Sequence, residues 1–242
     1  MLQIVRSAMV QIILVVFVFT TSQAGESMTK SRENVSSALE AKYVTVETIR
    51  QSLPSVPIIV GFDIDDTVVF SSPGFYFGAK NTDGKDGKSR YGEGDDYLKN
   101  PQFWRDLNQF HDRYSMKKKA GEDLIRMHKG RGDYIVFITK RYCYDDDADV
   151  LTKRMNSMFG LESKVFCTNE QPKTPKMIET GVDVYYGDSD SDIKEAQTVS
   201  PKHVRAIRVQ RSPLSTNPRK AGDKVLYNPG SFAEEVLVDS EN

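Results

Sequence analysis

Two clusters of aspartates carry most of the chemistry that this sequence can offer. The first is Phe62-Asp63-Ile64-Asp65-Asp66-Thr67-Val68. Carboxylates two residues apart, just past an apolar run, can hold a hard divalent cation such as Mg²⁺, which prefers oxygen ligands and keeps part of its water. The same pair can divide labour, one carboxylate attacking phosphorus while the other manages protons. The second cluster is Tyr186-Gly187-Asp188-Ser189-Asp190-Ser191-Asp192-Ile193. Its alternating acids suggest a calcium loop, but an EF-hand counted from Asp188 needs Gly at the sixth position and Glu at the twelfth. Those positions hold Ile193 and Val199, so that reading is rejected.

Cations and hydroxyls complete the set. Thr139-Lys140-Arg141 offers a hydroxyl, a backbone N–H and a guanidinium, all suited to phosphate oxygens. Lys173, in Gln171-Pro172-Lys173-Thr174-Pro175-Lys176, can neutralise an aspartate nucleophile and its phosphate, and Lys176 competes for that role.

These residues need elements that bring them together. Residues 58–62 form a continuous apolar run rich in β-branched side chains that ends in acid, as a buried parallel strand does when function sits at its carboxyl edge. The pattern recurs at 134–138 before Thr139, at 182–186 before Gly187-Asp188, at 204–209, and more briefly at 164–167. Helical spacing of apolar residues falls between these strands. Alternation of this kind predicts an α/β fold, a Rossmann-like parallel sheet with helices on both faces. Ligands bind beyond the carboxyl ends of such strands, where both acidic clusters fall, so the clusters are expected to share one cation. Residues 71–116 break the alternation and read as a small cap insertion, with a polar, glycine-bearing flexible loop at 78–94.

Bulk properties narrow the function. The 242 residues are 28% charged with a net charge of -1, which suits a globular protein without a basic field for a nucleic acid polymer. Arg6, an apolar run over 9–19 and Ser22-Gln23-Ala24 read as a signal peptide, 1–24, cleaved after Ala24. The run is short of the ~20 residues that span a bilayer, so no stable membrane anchor is expected after cleavage. The mature protein is then periplasmic or secreted, with an N-terminal arm and short helix over 25–56 and the main domain over 57–242. Export permits a disulfide between Cys143 and Cys167; two buried thiols are the alternative. Asn34-Val35-Ser36 matches the short glycosylation pattern.

In this order the motifs resemble the haloacid dehalogenase superfamily, and more closely the bacterial class B acid phosphatases. The likeness extends through 62–75 and 186–193, Asp96-Tyr97-Leu98-Lys99-Asn100-Pro101 with Phe103-Trp104, and Phe232-Ala233-Glu234-Glu235-Val236. It implies a Mg²⁺-dependent hydrolase of small phosphomonoesters, nucleotides among them, with one Mg²⁺ per subunit, an aspartyl-phosphate intermediate and a homotetramer. Asp63 would be nucleophile and metal ligand. Asp65 would be general acid/base, with its carbonyl on the metal. Asp188 would be the third ligand, with Asp192 supporting the metal shell. Thr139 and the N–H of Lys140 would bind phosphate beside Lys173, with Arg141 in support. Phe75, Leu98 and Trp104 would line a leaving-group pocket. An alcohol in place of water would give phosphotransfer. The sequence departs from the family at Lys140, where Gly is usual, and near Asn217, where a Tyr is usual. Asp65 argues against a dehalogenase, whose halide needs no proton. The rival from another class is a non-catalytic binding or adhesion protein on the same scaffold.

Overall fold

The apolar runs that end in acid become neighbouring strands of one sheet. The computed structural model describes residues 41–216 and 229–241, all within one unit of the chain. The leader, the arm up to residue 40, Asn34 and Asn217 lie outside the described residues. The strands are β1 (Lys42–Val44), β2 (Ile59–Phe62), β3 (Val69–Phe70), β4 (Met116–Lys117), β5 (Tyr134–Thr139), β6 (Lys164–Cys167), β7 (Val184–Gly187), β8 (Arg205–Arg208) and β9 (Glu235–Leu237). Seven of them form a sheet in the order β1-β9-β8-β7-β2-β5-β6, every adjacent pair parallel. β3 and β4 pair separately and antiparallel. Because β2 lies between β5 and β7, Phe62 is in register with Phe137 on one side and Tyr186 on the other. The residues just beyond those positions are the ones with chemistry to offer.

The helices are α1 (Val46–Ser52), α2 (Ser72–Lys80), α3 (Pro101–Gln109), α4 (Lys119–Arg131), α5 (Asp147–Phe159), α6 (Thr174–Thr180) and α7 (Asp190–Gln197). Alternate strand residues face opposite sides. Val60, Phe62, Phe137 and Tyr186 pack with Ile49 of α1, Leu124 of α4 and Leu151 and Met155 of α5. Ile138 and Tyr185 face the other way, onto Met177 of α6 and Ile193 and Ala196 of α7. Burying each such side chain contributes roughly 1.5–3 kcal/mol, so both faces hold the strand ends in place.

Two stretches differ from their sequence reading. The short helix read at the end of the arm is α1, with Ile49 wholly buried, but residues 42–44, read as part of the arm itself, are built into the sheet, where β1 pairs with β9. Only Val44 of the three β1 residues is buried, so the edge strand has no apolar run to announce it. The 78–94 loop is not a free polar segment either. Asn81 Nδ2 donates to the Phe77 and Gly78 carbonyls at 2.9 and 3.1 Å, and its Oδ1 accepts from the Arg90 N–H at 2.9 Å. Tyr91 is buried and donates to Asp106 at 2.7 Å. It joins Phe75, Tyr97, Phe103, Trp104 and Leu107 in a separate core for the cap.

Candidate active site

Asp63 follows β2 and Asp188 follows β7, and both are buried at the carboxyl edge of the sheet. Each of Asp63, Asp188 and Asp192 offers a carboxylate oxygen, and the three oxygens lie within 4.8 Å of one another. Asp192 stands on the first turn of α7, where Ser189 caps the helix and Asp192 returns the bond in a capping box. Gly187 permits this approach, since a Cβ there would lie 2.3 Å from the Asp192 Cβ. Lys173 enters from the start of α6 and is fully buried. Its three ammonium donors reach Asp63 Oδ1 at 2.5 Å, Asp192 Oδ1 at 2.7 Å and the Tyr185 hydroxyl at 2.9 Å. Lys176 instead pairs with Glu179 at the surface.

The protein's own cations do not balance this cluster. Burial, reinforced by Asp192, Asp188 and Asp65 and opposed by Lys173, holds the Asp63 carboxyl well above the usual carboxylate range. Burial likewise pushes Asp188 up to about 6, although Arg211 donates to its Oδ2 at 2.6 Å. Asp192 is the exception. Burial raises its carboxyl, but Lys173 and Ser189 more than offset this, and it lies below the usual range. Both Asp192 oxygens are taken, Oδ1 by Lys173 and Oδ2 by the Ser189 hydroxyl at 2.6 Å. The oxygens best placed for a cation are Asp63 Oδ2 and Asp188 Oδ1, which share one long contact each with the Thr67 hydroxyl, at 3.3 and 3.5 Å. A hard divalent ion fits this donor set, because it would meet uncompensated, buried carboxylate charge.

Asp65 sits in different surroundings. Arg141, two residues past the end of β5, donates to Asp65 Oδ2 through Nε at 2.8 Å and to Oδ1 through NH2 at 2.6 Å. Burial works to raise the Asp65 carboxyl, yet the Arg141 guanidinium and the Ser71 hydroxyl hold it below its ordinary value. Asp66, next along, adopts a left-handed conformation (φ 59°), and Lys118 donates to its carbonyl at 2.7 Å.

Thr139 is buried at the end of β5, and its Oγ1 accepts from the Arg141 N–H at 3.3 Å. The segment 139–141 is clamped from β6: the N–H groups of Thr168, Asn169 and Glu170 donate to the carbonyls of Thr139, Arg141 and Lys140 at 2.8, 3.2 and 2.9 Å. Cys143 and Cys167 form a disulfide across the same two strand ends, resolving the choice between a bridge and two thiols. The Lys140 side chain pairs with Glu195 of α7 at 2.7 Å, and its charge still reaches Asp192. Glu195 also accepts from the Lys173 backbone N–H at 2.5 Å. The three expected pocket residues do meet, but as packed cap. Phe75 and Trp104 are only 3% and 4% exposed, with ring centroids 6.0 Å apart, and Trp104 Nε1 donates to the Leu98 carbonyl at 2.7 Å.

Several residues of the site carried no signal in the sequence. Arg211 on Asp188 is one. Arg208 is another: buried, it donates to the Asp188 carbonyl at 2.9 Å and is gripped by Glu234 at 2.6 Å. Asn108 and Asp112, both from the cap, bond to Arg141.

No protein-family model matches the chain. Curated relatives do. The chain is 39% identical over 208 residues to a class B acid phosphatase of Rahnella sp. (strain Y9602), covering 82% of this chain and 80% of that protein. It is 37% identical over 238 residues to a class B acid phosphatase of Haemophilus parainfluenzae (strain T3T1), covering 92% of each. A solved structure described as a predicted phosphatase from Clostridium acetobutylicum resembles it with a TM-score of 0.48 at 13% identity, covering 75% of this chain and 94% of that one. Likeness of that degree adds nothing to what the parallel sheet itself establishes.

Proposed function

The chain belongs to the class B acid phosphatase family and is a phosphoric monoester hydrolase, and from that premise we propose that it is a Mg²⁺-dependent enzyme working through an aspartyl-phosphate on Asp63. Its substrates are small organic phosphomonoesters, nucleotides among them. The observation that supports this reading best is Lys173, whose ammonium joins Asp63 and Asp192, while a carboxylate oxygen of Asp188 lies within 4.8 Å of oxygens of both aspartates. A nucleophilic carboxylate, its neutralising cation and a second carboxylate thus meet at the carboxyl edge of the sheet.

Asp63 and Asp188, with the Asp65 carbonyl, would hold the ion, and Asp192 supports them through Lys173. A bound divalent cation offsets repulsion between a carboxylate and a phosphate dianion. Thr139 and the Lys140 N–H bind phosphate oxygens. The Asp63 carboxylate then forms a bond to phosphorus as the ester P–O bond breaks, and Asp65 gives its proton to the departing oxygen. Asp65 next takes a proton from water, which attacks phosphorus and releases Asp63. An alcohol in that step would accept the phosphoryl group instead. Phe75 and Trp104 are packed inside the cap and back Leu98, the partly buried member of the three, which would face the leaving group. We further propose export to the periplasm or beyond after removal of 1–24, no lasting membrane anchor, and assembly as a homotetramer.

Hydrolysis of 4-nitrophenyl phosphate before and after chelation by EDTA tests the core of this. Activity should vanish on chelation and return with Mg²⁺. Undiminished turnover after exhaustive chelation would overturn the metal assignment.

A further inference from the structure

Arg141 is almost completely buried, and its planar guanidinium is divided between two carboxylates. One edge faces Asp65. The other faces Asp112 of the cap turn His111–Tyr114, with NH1 to Oδ2 at 2.7 Å and NH2 to Oδ1 at 3.1 Å. Asn108 of α3 adds its Oδ1 to NH1 at 3.3 Å. The Asn108 amide has little freedom, because its Nδ2 donates to the Tyr142 carbonyl at 2.8 Å and to Asp147 at 3.3 Å. Asp112 is itself wholly buried, and Oδ1 also accepts from Ser115 at 2.8 Å. A buried guanidinium goes where its carboxylates are, since leaving either unpaired is costly. Two cap side chains therefore fix Arg141, and Arg141 fixes both oxygens of Asp65.

Resting on the assignment of Asp65 as proton donor, we propose that Asp112, aided by Asn108, is a positioning residue for the proton transfer: the cap, acting through Arg141, sets the rotamer of Asp65. Proton transfer demands heavy-atom distances near 3 Å, so an Asp65 released from this clamp would deliver its proton badly. The lesion is specific. An ester whose leaving group is a strong acid needs little proton assistance, and an alkyl ester needs much.

The test is kcat/KM of Asp112→Asn across 4-nitrophenyl, phenyl and alkyl phosphates with saturating Mg²⁺. This parameter reports steps up to formation of the phosphoenzyme. The alkyl ester should lose about tenfold or more, and 4-nitrophenyl phosphate less than about threefold, a part of the roughly 10²–10⁴ that general acid catalysis supplies. A uniform loss across the esters, or no loss, would overturn the proposal. Should Asp112→Asn not fold, Asn108→Ala carries the same test, with a smaller loss in the same direction. Asp65→Asn separates the two readings. It must show the same leaving-group dependence, more steeply. If its losses are uniform, the assignment of Asp65 fails rather than the positioning by the cap.

Discussion

Asp63 and Asp65 are two residues apart, yet the protein treats them in opposite ways. Around Asp63, burial and the neighbouring charges of Asp192 and Asp188 outweigh Lys173, and the carboxyl is held above the usual range. Around Asp65, a bidentate guanidinium outweighs burial, and the carboxyl is held below it. For a nucleophile and a proton donor this is the reverse of the working state. The proposed chemistry supplies the correction from outside the chain. A divalent cation lowers Asp63 and Asp188, and an arriving phosphate dianion raises Asp65. The site is thus built to be completed by a cation on one side and an anion on the other.

The sharpest way to break this contrast is to neutralise each carboxylate in turn. Asp63→Asn should cut turnover by more than about a thousandfold. Its melting temperature, measured without divalent cation, should stay level or rise. A carboxyl whose folded pKa lies above its unfolded value costs stability once pH exceeds the unfolded value, and asparagine removes that cost. Asp65→Asn should instead destabilise the chain by about 1–3 kcal/mol, because Arg141 loses one of its two carboxylates. Unfolding curves that move the same way for both variants would show that the two sides do not differ.

A milder test uses pH. Asp188 lies at about 6, and it must lose its proton to ligate a cation. Apparent Mg²⁺ affinity should therefore fall as pH drops through about 6, by about tenfold or more per pH unit, since Asp63, also held above the usual range, can add a second released proton. Half-saturating Mg²⁺ for hydrolysis, followed across that range, gives the slope. A flat response throughout would mean that Arg211 alone compensates Asp188.

The parts legible in the sequence were those with a pattern. Asp63 and Thr139 each follow a continuous apolar run, Asp188 follows a shorter one at 184–186, and three such strands in parallel leave their ends side by side. The rest had no pattern to show. Asp112 sits in a polar turn beside Phe110 and Tyr114, which are exposed, and nothing local marks it as buried against a guanidinium 29 residues away. Asn108 and Arg211 are single polar residues whose partners are set by tertiary packing. Lys140 was a visible departure, but only the position of α7 decides that it meets Glu195. The two cysteines were ambiguous because sequence fixes strand direction and not strand adjacency. Once β5 and β6 are neighbours, Thr139 is in register with Cys167, and the bridge follows.

That bridge supplies the gentlest test of how the Asp65 side is held. Cys143 lies two residues beyond Arg141, and the disulfide closes a loop over a sequence separation of 24. Reducing it should cost roughly 3 kcal/mol of stability by freeing the unfolded chain. Turnover well below the melting temperature should change less than about twofold, a shift of a few tenths of a kcal/mol in the barrier. The backbone bonds from Thr168, Asn169 and Glu170 still clamp 139–141, and the cap still grips Arg141 from Asp112. Cys143→Ser with Cys167→Ser, assayed beside the reduced wild type, guards against effects of the reductant. If losing the bridge lowers kcat/KM for an alkyl phosphate as much as Asp112→Asn does, Arg141 is held from β6 and not from the cap. The proton donor would then be governed by the sheet, like the nucleophile.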